Sequence, residues 1–448
     1  MEKRFDIFIY RFLFCFALLI FLIFNNKMLC KADNIVVVID PGHGGENLGG
    51  QTEEYIEQEL TLQVANYMKE RLEQYEGIDV YLTHSSIGEK DLSREERAEI
   101  ASEYNADFLY SLHFNMSEKH TLFGAEVWTS AFGEYYVKGQ EFARIEMEGL
   151  HGQLGFFDRG IKTRLGKTGD DYYGIILKCK EKGIPAVIIE HCHMDEDRDN
   201  WFLRDNDNPY QILGYTDADS VAKYFHLKSQ SLGVDYSDYQ YERVAMPSGK
   251  IGHDRSEPEY CDVKLIDTDN TENMARVEIS SHDPDSVFQY FQYSKDGGVT
   301  YSRLLPWNND INANEASRLE SIEAFIPLTA LEESKLVVRA YNRFDLYAES
   351  NMIILPAGEE LVTYTEEASE EIPDSAYKDY ELITYNFNEP VKKKTDINII
   401  DDNTLYIVGG VFILALLVSV LLVVTIMNAG RKRRRKRRKD RRKRGNIY

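Results

Sequence analysis

Cysteine is scarce in this chain. Five in 448 residues exclude a disulfide-built scaffold. Removal of an N-terminal export signal would leave Cys179, Cys192 and Cys261, an odd number, so no required disulfide is expected. Basic residues are also sparse over most of the length. Residues 34–403 hold 34 Lys and Arg against 71 Asp and Glu, a formal charge near -37. That stretch repels polyanions, so no nucleic-acid partner is expected for it. The positive charge is held back for the end, where residues 431–444 contain 13 Lys and Arg and one Asp. The chain total of -23 therefore averages two extremes. A length of 448 residues is too great for one hydrophobic core and implies two or three units.

Long apolar runs occur at the two ends. Phe12–Phe24 is an unbroken run of 13 apolar residues behind Lys3, Arg4 and Arg11. It fits the apolar core of a signal peptide, with Cys30-Lys31-Ala32 as a cleavage site. Residues 1–32 thus read as a signal peptide or an uncleaved signal anchor, and both readings export the chain from Asp33 onward. Thr404–Met427 is 24 residues long without a charge, enough for one membrane span. The basic tail, 428–448, is then expected on the cytoplasmic side against anionic lipid. The expected location is a single-pass cell-membrane protein with its main region extracellular.

The region between alternates strand-like and helix-like patterns. Ile35–Ile39 is a short β-branched run that reads as a buried strand. Leu60, Val64, Met68 and Leu72 repeat every four residues and predict an amphipathic helix over 57–75. Further strands are expected at 79–83, 108–115, 125–130 and 185–190, and helices at 94–104, 134–149, 171–182 and 209–226. This pattern predicts an α/β fold over 33–230: a mostly parallel twisted sheet flanked by helices. Residues 262–356 instead show short strands separated by turn clusters such as Lys295-Asp296-Gly297-Gly298, which predicts a small all-β sandwich. Residues 357–403 are acidic and aperiodic and read as a tether. The single transmembrane helix, 404–427, completes the expected architecture.

Ligands in α/β sheets bind beyond the carboxyl ends of the strands. His43 lies there, in the glycine-flanked loop Asp40-Pro41-Gly42-His43-Gly44-Gly45. Glu57 opens the following helix. Period two puts Ser111, His113 and Asn115 on one face of their strand. Two imidazoles and a carboxylate leave one position open on a tetrahedral Zn²⁺, the pattern of a catalytic site. Glu190 ends a hydrophobic strand and is placed to take a proton from an attacking water. A lone His or Glu at a strand end usually serves structure; the combination within one α/β unit points to chemistry.

Residues 35–226 resemble the zinc-dependent N-acetylmuramoyl-L-alanine amidases of bacterial cell-wall turnover. The resemblance rests on VVVIDPGHGG (36–45), EQELTLQVANYMKERL (57–72), LSREERAEIASEYNADFLYSLHFN (92–115), RGIK (159–162) and PAVIIE (185–190), in the family's order. It implies zinc held by His43, Glu57 and His113, with Glu190 as the catalytic glutamate. The implied reaction is hydrolysis of the amide between N-acetylmuramic acid and the L-alanine of the stem peptide, with peptidoglycan as partner. Another zinc hydrolase of peptidoglycan, a stem peptidase or deacetylase, would use the same four residues. An inactive wall-binding surface protein is the non-enzymatic alternative.

The chain departs from the family pattern at Thr83-His84, where Thr-Arg is usual, and at His191-Cys192-His193. The second departure would place two imidazoles and a thiol beside the metal. Asp40 is a candidate support for a zinc histidine or a cap of the glycine-rich turn. Arg97 is expected to anchor a helix by a salt bridge, and Arg159 and Lys162 to meet the anionic stem peptide. His120 and His151 read as loop or surface residues, and Trp128 as strand packing. The β region resembles fibronectin-type or Ig-like spacers of bacterial surface proteins, with carbohydrate or protein binding as its alternative role.

Overall fold

The computed structural model describes residues 34–88, 90–269, 271–307 and 319–359. Its first layer is a six-stranded sheet in the order β2-β1-β3-β6-β4-β5. The strands are β1 (Ile35–Pro41), β2 (Ile78–Leu82), β3 (Phe108–Asn115), β4 (Ala125–Thr129), β5 (Asp158–Lys162) and β6 (Ala186–His193). Both faces of the central strands are covered, which is why β1 reads as an unbroken apolar run: Val37, Val38 and Ile39 have no exposure.

The helices are α1 (Glu57–Leu72), α2 (Arg94–Glu103), α3 (Gly133–Met147), α4 (Gly174–Glu181), α5 (Asp197–Asp205) and α6 (Pro209–Tyr224). Helix α1 begins with Glu57 and Glu59 and ends with Lys69 and Arg71, charges that complement its dipole. A Ser93–Glu96 capping box starts α2. Leu60, Val64, Met68 and Leu72 face the core, as their spacing predicts.

The expected mostly parallel sheet is corrected. Strands β2, β1, β3 and β6 run parallel, but β4 pairs antiparallel with β6 and carries β5 in its own direction. The reason lies in the 116–124 connection, which contains no helix. A parallel return needs a crossover of a dozen or more residues, usually helical. The sheet is therefore mixed.

The membrane expectation is corrected as well. Among the described residues no helix is long and apolar enough to cross a membrane. The longest, α1 and α6, have 16 residues each, about 24 Å against a hydrocarbon core of about 30 Å, and both carry charge. The transmembrane helix, the membrane and anionic-lipid partners and the single-pass localisation are withdrawn. Residues 404–427, on which they rested, lie outside the described residues, as do 1–32, 360–403 and 428–448.

A two-stranded ribbon, β7 (Lys228–Ser229) with β8 (Val234–Asp235), comes after α6. Two antiparallel sheets then share a second core. One holds β9 (Tyr260–Asp269), β10 (Met274–His282) and β13 (Ser321–Pro327); the other holds β11 (Phe288–Ser294), β12 (Leu305–Pro306), β14 (Ser334–Asn342), β15 (Tyr347–Glu349) and β16 (Ile353–Leu355). Val263, Val277, Ile279, Trp307, Leu336 and Val338 fill the space between them.

Cys179, Cys192 and Cys261 are unpaired and buried in three separate clusters. Burial raises all three thiols, that of Cys261 to about 12. Thiolate is the reactive form. The native protein is expected to resist a thiol reagent at neutral pH at these positions and to react once unfolded. Rapid native labelling, read by mass spectrometry, would contradict this burial.

Candidate metal centre

Strand β1 ends at Pro41, and the following loop turns back over the ends of β1 and β3. His43 adopts a left-handed backbone, φ 67°, a conformation uncommon outside glycine. Two glycines make the approach possible. A Cβ on Gly42 would sit 2.5 Å from the His113 ring, and one on Gly49, 2.5 Å from Glu57 Oε2. Arg97 secures the loop from α2. Its guanidinium donates to Asp40 Oδ1 at 2.6 Å, to the Pro41 carbonyl at 2.8 Å and to the His43 carbonyl at 2.5 Å. Asp40 also accepts from Thr83 at 2.6 Å and Ser111 at 2.8 Å. Asp40 thus acts through Arg97 on the whole loop.

The loop, α1 and β3 bring three ligand atoms together. His43 Nε2 lies 2.9 Å from Glu57 Oε2, and His113 Nδ1 lies 2.9 Å from Glu57 Oε1. His43 Nδ1 faces Asn47 Oδ1 at 3.1 Å. A proton donated there leaves the Nε2 lone pair for a metal. The Gly50 N–H donates to Glu57 Oε2 at 2.7 Å and fixes the carboxylate. Burial alone would raise the Glu57 pKa, but hydrogen bonds from His113 and His43 reverse the effect and hold it well below the usual carboxylate range. Burial likewise opposes charge on His43, and Glu57 outweighs it, so that pKa is raised. One negative carboxylate between two imidazoles is the charge pattern of a divalent-cation site.

One ligand atom from each residue lies within 4.8 Å of the others. Two nitrogens and one oxygen at this spacing fit Zn²⁺ with its fourth position open. Residues 37–219 match the family model of N-acetylmuramoyl-L-alanine amidases. The chain carries an amidase domain of this family. It is 24% identical over 206 residues to an N-acetylmuramoyl-L-alanine amidase, CwlM, of Bacillus licheniformis, a match covering 45% of this chain and 72% of the relative. It is 28% identical over 198 residues to the sporulation-specific N-acetylmuramoyl-L-alanine amidase of Bacillus subtilis (strain 168), covering 44% and 71%. Among solved structures, the catalytic domain of CwlV from Bacillus (Paenibacillus) polymyxa var. colistinus aligns with a TM-score of 0.37 at 25% identity, over 43% of this chain and 99% of that one.

In the amidase domain, Glu190 stands beside the triad. It pairs in register with His113 across the parallel β3–β6 ladder. Its Oε2 is buried and has no hydrogen-bond partner. Burial, then the charges of Glu57 and Glu126, push its pKa well above the usual carboxylate value. Glu57→Ala is expected to lose stoichiometric zinc, and hydrolysis with it; one zinc per chain by elemental analysis would contradict the ligand assignment.

The His191-Cys192-His193 run adds no side chain to the His43, Glu57 and His113 ligand cluster. Strand β6 continues through His193, and alternation turns His191 away from the Glu190 face. His191 is fully buried, with Nδ1 2.9 Å from the His113 carbonyl and Nε2 3.0 Å from Asp217 Oδ2. Burial disfavours its charge, but Asp217 overrides this and raises its pKa. The β3–β6 register shifts between His113 and Asn115, and His191 supplies a side-chain donor to the carbonyl at that irregularity. His193 faces the Gly124 carbonyl at 3.1 Å. His84 is buried under the loop, 3.3 Å from where a Gly44 Cβ would lie.

Arg159 and Lys162 line a cavity beside Glu190 but are already ion-paired within the protein. Both are buried on Glu126, at 2.9 and 2.6 Å, and Arg159 reaches Asp345 of the β region at 2.9 Å. Glu126, which carries this network, is absent from the residues expected at the site. Its one signal in the sequence is a carboxylate at an otherwise apolar strand position. Trp128 is buried and donates its indole N–H to Glu126 at 3.1 Å. His120 is exposed and pairs with Asp195 at 2.7 Å; His151 faces the Phe156 carbonyl at 2.7 Å.

Proposed function

We propose that Glu190 is the general base in hydrolysis of the amide joining N-acetylmuramic acid to L-alanine in peptidoglycan. The amidase domain is a zinc-dependent enzyme of this class, with His43, Glu57 and His113 as its metal site. The observation that supports Glu190 is its unpartnered, buried Oε2 on the strand beside His113. Zinc, when bound, supplies a Lewis acid to polarise the amide carbonyl and acidify the attacking water.

The remaining steps belong to the protein. Glu190 takes a proton from the water as its oxygen attacks the lactyl carbonyl carbon. The C–N bond then breaks, and Glu190 delivers that proton to the departing alanine nitrogen. The products are a muramic-acid carboxyl group and a free amino terminus. An elevated carboxyl pKa suits both halves of this exchange. Arg97 and the glycine loop hold His43 in its strained backbone, so the ligands are placed before substrate arrives.

Chelation of the purified protein is expected to abolish hydrolysis of a soluble N-acetylmuramoyl-L-alanyl peptide, and one equivalent of zinc to restore it. Hydrolysis that persists after complete metal removal would overturn the reading.

A further inference from the structure

A cavity of about 420 Å³ opens beside Glu190, and three parts of the chain build it. The amidase domain supplies Glu190, Tyr173 and Arg164. The segment after it supplies Arg255. The β region supplies Phe344 and Asp345, from the turn after β14. None of the three metal ligands lines this cavity. Glu190 lines it, so the cavity adjoins the proposed general base.

The wall supplied by the β region is fixed in place. Arg159 donates to Asp345 and to Tyr290 Oη, each at 2.9 Å, and Tyr290 Oη donates to the Phe123 carbonyl at 2.5 Å. Asn342 donates to Asp254 at 2.9 Å, and Thr163 to the Ile251 carbonyl at 2.8 Å.

Two guanidinium groups at this cavity, Arg164 and Arg255, have hydrogen-bond partners, Arg164 in the Tyr173 side chain, but no carboxylate partner among the described residues. Arg164 lies 3.8 Å above the Tyr172 ring. Arg255 donates to the Leu165 carbonyl at 2.7 Å and to His253 at 3.1 Å. The ion pairs among the described residues include neither arginine, although the surrounding sequence is rich in acid. In the same lining, Glu190 Oε2 and Asp345 Oδ1 are buried acceptors without donors. Guanidinium groups without a carboxylate partner, in one cavity with buried acceptors that lack donors, match a peptide that carries carboxylates as well as N–H groups.

We infer that the β region and its linker complete a subsite for the acidic stem peptide, in which Arg164 and Arg255 receive stem carboxylates and Asp345 accepts a stem N–H. The subsite rests on the amidase reading and assigns the β region a part in substrate selection.

The test uses the full chain, zinc-loaded, and two soluble N-acetylmuramoyl peptides. One keeps its stem carboxylates, and the other has them amidated. The wild type is expected to show a KM about tenfold lower for the acidic peptide, the scale of one charge-assisted hydrogen bond. The double variant Arg164→Gln/Arg255→Gln is expected to raise the KM of the acidic peptide to that of the amidated one, with kcat unchanged. Both side chains are exposed, so the fold tolerates the change. Equal KM for the two peptides in the wild type, or a variant that loses kcat and keeps discrimination, overturns the subsite while leaving the amidase reading intact. Failure of the zinc-loaded wild type to free an alanine amino terminus from either peptide overturns both.

Discussion

Glu190→Gln is expected to lower hydrolysis of an N-acetylmuramoyl-L-alanyl peptide by about 10²–10⁴-fold, the usual worth of a positioned acid–base group. The amide is nearly isosteric with the carboxyl, and Glu190 Oε2 makes no hydrogen bond that the change would break. Zinc content and thermal stability should therefore stay at the wild-type level. This separates loss of chemistry from loss of the site. Glu57→Ala, by contrast, removes a ligand and should lose metal and activity together. A Glu190→Gln protein that keeps zinc and retains about a tenth or more of wild-type activity would remove Glu190 from the mechanism.

Glu126→Ala is expected to destabilise the fold by about 3–5 kcal/mol, the cost of breaking a buried ion pair from one side. Glu126 is 3% exposed, and both its oxygens are occupied. Oε2 accepts from Arg159 and Lys162; Oε1 accepts from Asn115 at 2.9 Å and Trp128 at 3.1 Å. After truncation Arg159 keeps Asp345, but Lys162 is left buried without a carboxylate. Burial already lowers the Lys162 pKa even with Glu126 present, so deprotonation can relieve part of the cost. Activity should fall too, because Glu126 pairs with Glu190 across β4 and β6. Urea unfolding measures the loss; a change under about 1 kcal/mol would show that the network contributes little.

These two residues also mark the limits of what the sequence discloses. His43 lies in the glycine-rich loop after β1, Glu57 opens α1, and His113 and Glu190 lie in the second halves of β3 and β6, so local periodicity and that loop suffice to find them. Glu126 is at an ordinary strand position. Its importance depends on Arg159, 33 residues on, and on Asp345, 186 residues beyond Arg159. No local pattern reports that pairing, so the sequence does not show that Arg159 and Lys162, at the wall of the cavity, are already paired with internal carboxylates. The direction of β4 was partly legible, since the 116–124 connection is too short for a parallel crossover. Ending the strand at Glu190 misplaces His191 beside the metal; β6 runs on to His193, and alternation turns His191 from the Glu190 face. The partnership of Arg164 and Arg255 was not legible. It needs the β region folded against the amidase domain, which is a matter of tertiary packing.

Amino-terminal analysis of digested peptidoglycan tests the central claim most directly. Zinc-loaded wild type should expose new L-alanine amino termini while the glycan strands stay intact, and Glu190→Gln should expose almost none. Release of acetate, or new termini inside the stem peptide without new L-alanine termini, would contradict the account.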